Sequence, residues 1–159
     1  MPFYDERPTR VPNRIDKKDY SRNGAYFITI CTKERHNFLG RICDGKMQPS
    51  EIGAFAVSEI ARLEKIYPSV VLDSFVLMPN HVHMLVILLS ETQNPAIHRI
   101  VQQWKGVVSK KAEFPLWQDR FHDVVIYDAA AYRNIKQYIE TNPAHWEDDC
   151  FYENQPPPG

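Results

Sequence analysis

Apolar positions in this chain recur sometimes every two residues and sometimes every 3.6, and each change of period marks a change of element. Ala25 to Thr32 reads Ala-Tyr-Phe-Ile-Thr-Ile-Cys-Thr, a β-branched and aromatic run that predicts a strand. Gly40, Asp44 and Gly45 mark a loop closed by a hairpin turn. Ser50 is a helix cap and Pro68 a helix stop; between them Ala56, Ile60, Leu63 and Tyr67 recur at helical spacing. Val70 to Met78 and His81 to Leu89 are two apolar strands. Pro79 cannot donate to a ladder, so Pro79-Asn80 is the turn between them. Asn94-Pro95 is a cap followed by a first-turn proline. Ile97, Ile100, Val101, Trp104, Val107 and Val108 then form one apolar helical face, with Lys105 and Lys110 outside it. Phe121 to Tyr127 reads as a last strand. Asp128 caps a final helix from Ala129 to about Asn142, ended near Pro143.

The order strand, helix, strand, strand, helix, strand is the βαββαβ pattern of a ferredoxin-like antiparallel sheet. The expected class is α+β, with an additional C-terminal helix that carries Tyr138. A length of 159 residues suits one domain over 1–159 with its own core. Residues 1–23, polar and broken by Pro8 and Pro12, are expected to form an irregular basic arm, and 150–159 a disordered tail. No apolar run is long enough for a bilayer span, and the N-terminus has no signal-type apolar segment. No membrane association is expected. Cys31, Cys43 and Cys150 match no zinc or redox spacing, so they read as reduced thiols of a cytoplasmic protein.

The formal net charge of −1 does not by itself call for a nucleic-acid partner. Its distribution changes that picture. Arg10 and Arg14 belong to a basic N-terminal group, and Arg99, Lys105, Lys110 and Lys111 fall in one segment free of acids. Glu140, Glu147, Asp148, Asp149 and Glu153 load the other end. A molecule polarised in this way can bind an anion on one side despite a near-neutral total. Taken alone, the same runs describe two solvated faces.

The run Met78-Pro79-Asn80-His81-Val82-His83 adds chemistry. On a strand, His81 and His83 point the same way, and two adjacent imidazoles can share a divalent ion. In the last helix, Tyr138 and Asn142 stand four apart on one face. A phenol is a nucleophile once its proton is drawn off, and an amide oxygen is a hard ligand. Each feature alone has an ordinary explanation: polar residues at a strand start, a packed aromatic, a helix C-cap. If the helix crosses the sheet near the histidines, the set suits attack on a phosphodiester.

These segments resemble the REP-associated tyrosine transposases, IS200-like members of the single-domain HUH tyrosine transposases. The resemblance rests on Tyr26 to Thr32, Phe75 to His83, and Tyr138-Ile139 with Asn142-Pro143, and extends over roughly residues 10 to 149. Val101 to Gly106, Trp117-Gln118 and Phe121 to Asp123 match as well. It implies that His81, His83 and Asn142 hold Mg²⁺ or Mn²⁺ and that Tyr138 attacks single-stranded DNA. The implied product is a 5′-phosphotyrosine bond with a free 3′-OH, which a second 3′-OH can reverse. The implied substrate is single-stranded DNA with REP-like hairpins, met on the bacterial nucleoid. Arg10, Arg14, Lys105 and Lys110 become expected DNA contacts. Related enzymes can form a homodimer that exchanges the tyrosine helix, and no sequence pattern here decides between monomer and dimer.

Two other functions fit parts of the pattern. One is a nucleic-acid-binding module without catalysis, derived from such a transposase or of the RNA-binding ferredoxin-like type; no aromatic RNP1 pattern supports the latter. The other is a water-using hydrolase with the histidine pair on Zn²⁺. Zinc hydrolases hold three strong protein ligands, and no third histidine or carboxylate stands here at motif spacing.

Overall fold

A computed structural model describes residues 24–89, 97–149 and 151–153. The expected basic arm with Arg10 and Arg14, the Asn94-Pro95 cap, Cys150 and the end of the tail lie outside the described residues. Strand β1 (Gly24–Cys31) is followed by a hairpin of β2 (Gly40–Cys43) and β3 (Lys46–Pro49). Asp44 and Gly45 have φ of 54° and 73°, the left-handed pair that a tight two-residue hairpin turn requires. Helix α1 (Glu51–Ala61) begins at Ser50, whose Oγ accepts the Gly53 N–H at 3.1 Å. Arg62 interrupts the expected helix, which resumes as α2 (Leu63–Ile66). Then come β4 (Val70–Met78), β5 (His81–Leu88), α3 (Ile97–Ala112), β6 (His122–Ile126) and α4 (Ala129–Thr141). Asp128 caps α4 by accepting the Ala131 N–H at 2.8 Å. Beyond the expected helix end, Asn142–Asp148 continues as a 3₁₀ segment that the sequence reading did not foresee.

The four long strands form one antiparallel sheet in the order β4-β5-β1-β6. Because β4 and β1 both run antiparallel to β5, they are parallel to each other, and α1 and α2 make the crossover between them. This is the expected ferredoxin-like α+β arrangement, with the β2–β3 hairpin inserted after β1.

Alternation along β1 and β5 sorts their residues between two cores. Tyr26, Ile28, Ile30, Val82, Met84 and Val86 join the larger one, with Ile60 from α1 and Ile100, Trp104 and Val108 from α3. Phe27, Cys31 and Leu85 join a smaller one with Ile135 and Ile139 of α4. A bulge between Leu72 and Ser74 shifts the register of β4, so that Val76 pairs with His83 and Met78 with His81.

Helix α3 departs from expectation at its edges. Lys105, expected on a solvated face as a DNA contact, is only 6% exposed, while Val107, expected in the apolar face, is 43% exposed. The Lys105 ammonium donates to the carbonyl oxygens of Gln118 at 2.8 Å and Asp119 at 3.3 Å. At 100° per residue the two positions flank the stripe centre by roughly 80° on opposite sides. The chain at 116–119 covers one edge only, and its carbonyls at Gln118 and Asp119 hold the Lys105 ammonium there. Trp104 and Trp117 are buried as expected, their ring centroids 5.1 Å apart.

Gly53 shows how closely α1 is seated. A Cβ at this position would overlap the Leu39 carbonyl oxygen, which also accepts the Ser50 N–H at 2.8 Å. Gly53→Ala should therefore destabilise the fold by about 1–3 kcal/mol, read as a lower urea midpoint at unchanged slope.

Candidate active site

The Pro79-Asn80 turn places the histidines. Its backbone is gripped by the loop after β1: Thr32 N–H donates to Asn80 O at 2.9 Å, and Leu39 N–H to Pro79 O at 2.9 Å. Asn80 is fully buried. Its Nδ2 donates to Phe151 O at 2.7 Å and Arg35 O at 3.2 Å. With both amide protons directed at carbonyls, Oδ1 is the acceptor that faces His81 Nδ1 at 2.9 Å. His81 Nδ1 must therefore donate, and the neutral ring carries its lone pair on Nε2. That nitrogen is buried and makes no hydrogen bond among the described residues.

His83 lies one residue pair along the same face. Its Nδ1 shares a hydrogen bond of 2.9 Å with Thr29 Oγ1, from its cross-strand partner on β1. The two imidazole centroids are 4.6 Å apart. Phe27 stacks on His83 at 5.0 Å, and the Tyr138 ring from α4 stands 5.3 Å from the His83 ring. Tyr138 thus meets His83 of its own chain. Asn142, the C-cap of α4, is buried, and its Nδ2 makes no hydrogen bond among the described residues.

The fold brings beside the histidine pair a carboxylate that no motif spacing indicates. His81, His83 and Asp149 offer ligand atoms that all lie within 4.8 Å of one another, and all three residues are buried. Asp149 Oδ2 is 3.8 Å from His81 Nε2. No spacing rule singles out Asp149 from Glu147 and Asp148, which are exposed. Phe151, in the stretch expected to be a disordered tail, is buried too, with its ring 4.5 Å from that of His81.

Burial first, then the nearby charges of His83 and Arg35, holds the His81 imidazole well below its ordinary range. A neutral imidazole is the form that ligates a metal. Two imidazole nitrogens and a carboxylate oxygen, enclosed and close together, fit a divalent ion of the Mg²⁺, Mn²⁺ or Zn²⁺ type. Of the expected DNA contacts, Lys110 is exposed on α3, whereas the Lys105 ammonium is already engaged by loop carbonyls.

The chain matches the family model described as transposase IS200-like over residues 20–142. It is 32% identical over 163 residues to an uncharacterised Haemophilus influenzae protein, covering 87% of this chain and 91% of the relative. The fold also matches the structure of a REP-associated tyrosine transposase bound to a REP hairpin. That match has a TM-score of 0.63 and 21% identity, over 78% of this chain and 68% of the other. No helix among the described residues is long and apolar enough to cross a membrane.

The depressed His81 sets a pH dependence in the metal-free protein. Below an unfolded value of about 6.5 the unfolded chain takes up a proton that the folded one resists, so stability falls as pH drops. Urea unfolding in EDTA should show this loss between pH 7.5 and 5.5, at up to about 1.4 kcal/mol per pH unit. His81→Gln should flatten that slope.

Proposed function

The chain belongs to the IS200-like transposase family, and from that premise we propose that it cuts and rejoins single-stranded DNA through a covalent bond to Tyr138. The observation that carries this reading is the placement of the Tyr138 ring 5.3 Å from His83, beside a histidine pair whose free lone pair is on His81 Nε2. A nucleophile and a ligand set share one enclosed face.

In this reading His81 and His83 hold a divalent ion, with the Asn142 side chain as an oxygen donor one turn beyond the nucleophile. A bound Mg²⁺ or Mn²⁺ would polarise the phosphoryl oxygens and orient the scissile group; the imidazole ligands favour Mn²⁺ of the two. The chain's own residues do the rest. Tyr138 Oη attacks phosphorus and gives up its proton. The bond from phosphorus to the 3′ oxygen breaks, and that oxygen gains a proton, leaving a 5′-phosphotyrosine and a free 3′-OH. An incoming 3′-OH reverses the step without ATP, because the phosphotyrosine ester conserves the energy of the broken bond. Phe27 stacks on His83 and meets Tyr138 edge-on at 6.4 Å, holding ligand and nucleophile in register.

The substrate we assign is single-stranded DNA folded into REP-like hairpins, met on the bacterial nucleoid in the cytoplasm. The structural relative bound to a REP hairpin supports this class. Lys110 of α3, and Arg10 and Arg14 of the N-terminal arm, are the proposed backbone contacts.

The test uses purified protein, labelled single-stranded hairpin DNA and Mn²⁺ on a denaturing gel. A slower band should form only with metal and vanish in Tyr138→Phe, while native-gel binding persists. Native-gel binding with no slower band, across hairpins that include the host's own palindromes, would instead establish a non-catalytic DNA-binding module.

A further inference from the structure

Each ring of the histidine pair has its Nδ1 engaged by a neighbour: Asn80 for His81 at 2.9 Å and Thr29 for His83 at 2.9 Å. The two bonds differ in kind. A threonine hydroxyl can donate or accept, whereas an amide oxygen only accepts. The Asn80 amide cannot be turned over either. Its Nδ2 donates to Phe151 O at 2.7 Å and to Arg35 O at 3.2 Å, and a flip would set Oδ1 against those two oxygens. We propose that Asn80 is a positioning residue for the metal centre: it holds the His81 proton on Nδ1 and so keeps the Nε2 lone pair for the ion. This deepens the functional reading above and rests on its metal centre.

The lock matters because a free neutral imidazole prefers its proton on Nε2, the form in which that nitrogen cannot ligate. Without an acceptor at Nδ1, metal binding would first have to move the proton. Water does not replace the acceptor, since Asn80 and His81 are both fully buried. The residue type follows from the same geometry. Serine or aspartate could accept from Nδ1 but could not donate the two bonds that hold the side chain in place. Those bonds reach carbonyls 45 and 71 residues away in sequence. One of them comes from Arg35, whose φ of 57° is a left-handed conformation that strains a residue with a side chain. The loop after β1 is thus bent, at a local cost, where it supplies this acceptor. Asn80 acts on the ion only through the ring it orients, as the outer partners of metal-binding histidines do.

The experiment reads the His81 tautomer by nitrogen NMR of the full chain, histidine-labelled and metal-free in EDTA, and Mn²⁺ affinity by titration calorimetry without DNA. The wild-type ring should carry its proton on Nδ1. Asn80→Ala should lose that single tautomer and bind Mn²⁺ at least about tenfold more weakly. Gly53→Ala, which loosens the fold away from the site, should change neither and so separates positioning from lost stability. A wild-type proton on Nε2 overturns the proposal, and so does an Asn80→Ala protein that keeps either the tautomer or the affinity. If Asn80→Ala does not fold, the wild type decides: coupling through the hydrogen bond from Nδ1 to Asn80 Cγ upholds the proposal, and its absence overturns it. If the wild type shows the expected tautomer yet binds Mn²⁺ no better than His81→Ala, the metal centre itself is wrong and this inference goes with it.

Discussion

Asn80 is fully buried, and its amide has no water to fall back on. Everything it needs must come from the protein, and three separate segments supply it: the Arg35 carbonyl after β1, the Phe151 carbonyl beyond α4, and the His81 ring next door. Losing one of these would strand a buried polar group, at a cost of about 1–3 kcal/mol. The side chain therefore acts as a keystone. It holds the β4–β5 turn against the loop after β1, draws the C-terminal segment in, and fixes which nitrogen of His81 is a donor. Fold and site meet in a single amide.

The sheet divides the labour of the molecule between its faces. One face is given to a conventional apolar core under α1 and α3. The other holds the polar set of Thr29, His81 and His83 beneath α4, with Phe27 and Leu85 packing around it. Antiparallel register sets this division: Thr29 lies opposite His83 and Cys31 opposite His81, so a hydroxyl is available to orient one imidazole across the ladder. A slip of one residue would turn both histidines away from Thr29 and Asp149 and into the larger core.

Lys105 shows the same economy away from the site. A lysine at the edge of an apolar stripe is tolerated because its ammonium reaches two loop carbonyls, and Trp117 Nε1 in turn donates to the Lys105 carbonyl at 3.2 Å. The loop after α3 is pinned by these bonds, and it flanks the end of β1 through the Thr32–Trp117 bridge. A residue that looks like a surface charge thus helps to hold the strand that carries Thr29.

Much of this was legible in the amino-acid order because it is local. β-branched alternation defines β1, β4 and β5; Ser50 and Asp128 cap helices through bonds within three residues; and the spacing of His81 to His83 and of Tyr138 to Asn142 places each pair on one face whatever surrounds it. What the order could not decide is which of several equivalent residues the fold would cover. Lys105 and Val107 flank one stripe symmetrically, and only the loop at 116–119 chooses between them. Glu147, Asp148 and Asp149 are one acidic run, and only the 3₁₀ segment after α4 carries the last of them inside. Phe151 looks like the start of a polar tail until the Asn80 amide gives its carbonyl a partner. Periodicity and caps follow from bonds between near neighbours. Burial, tautomer and the geometry of the site follow from contacts between segments far apart in sequence, and those exist only once the chain has folded.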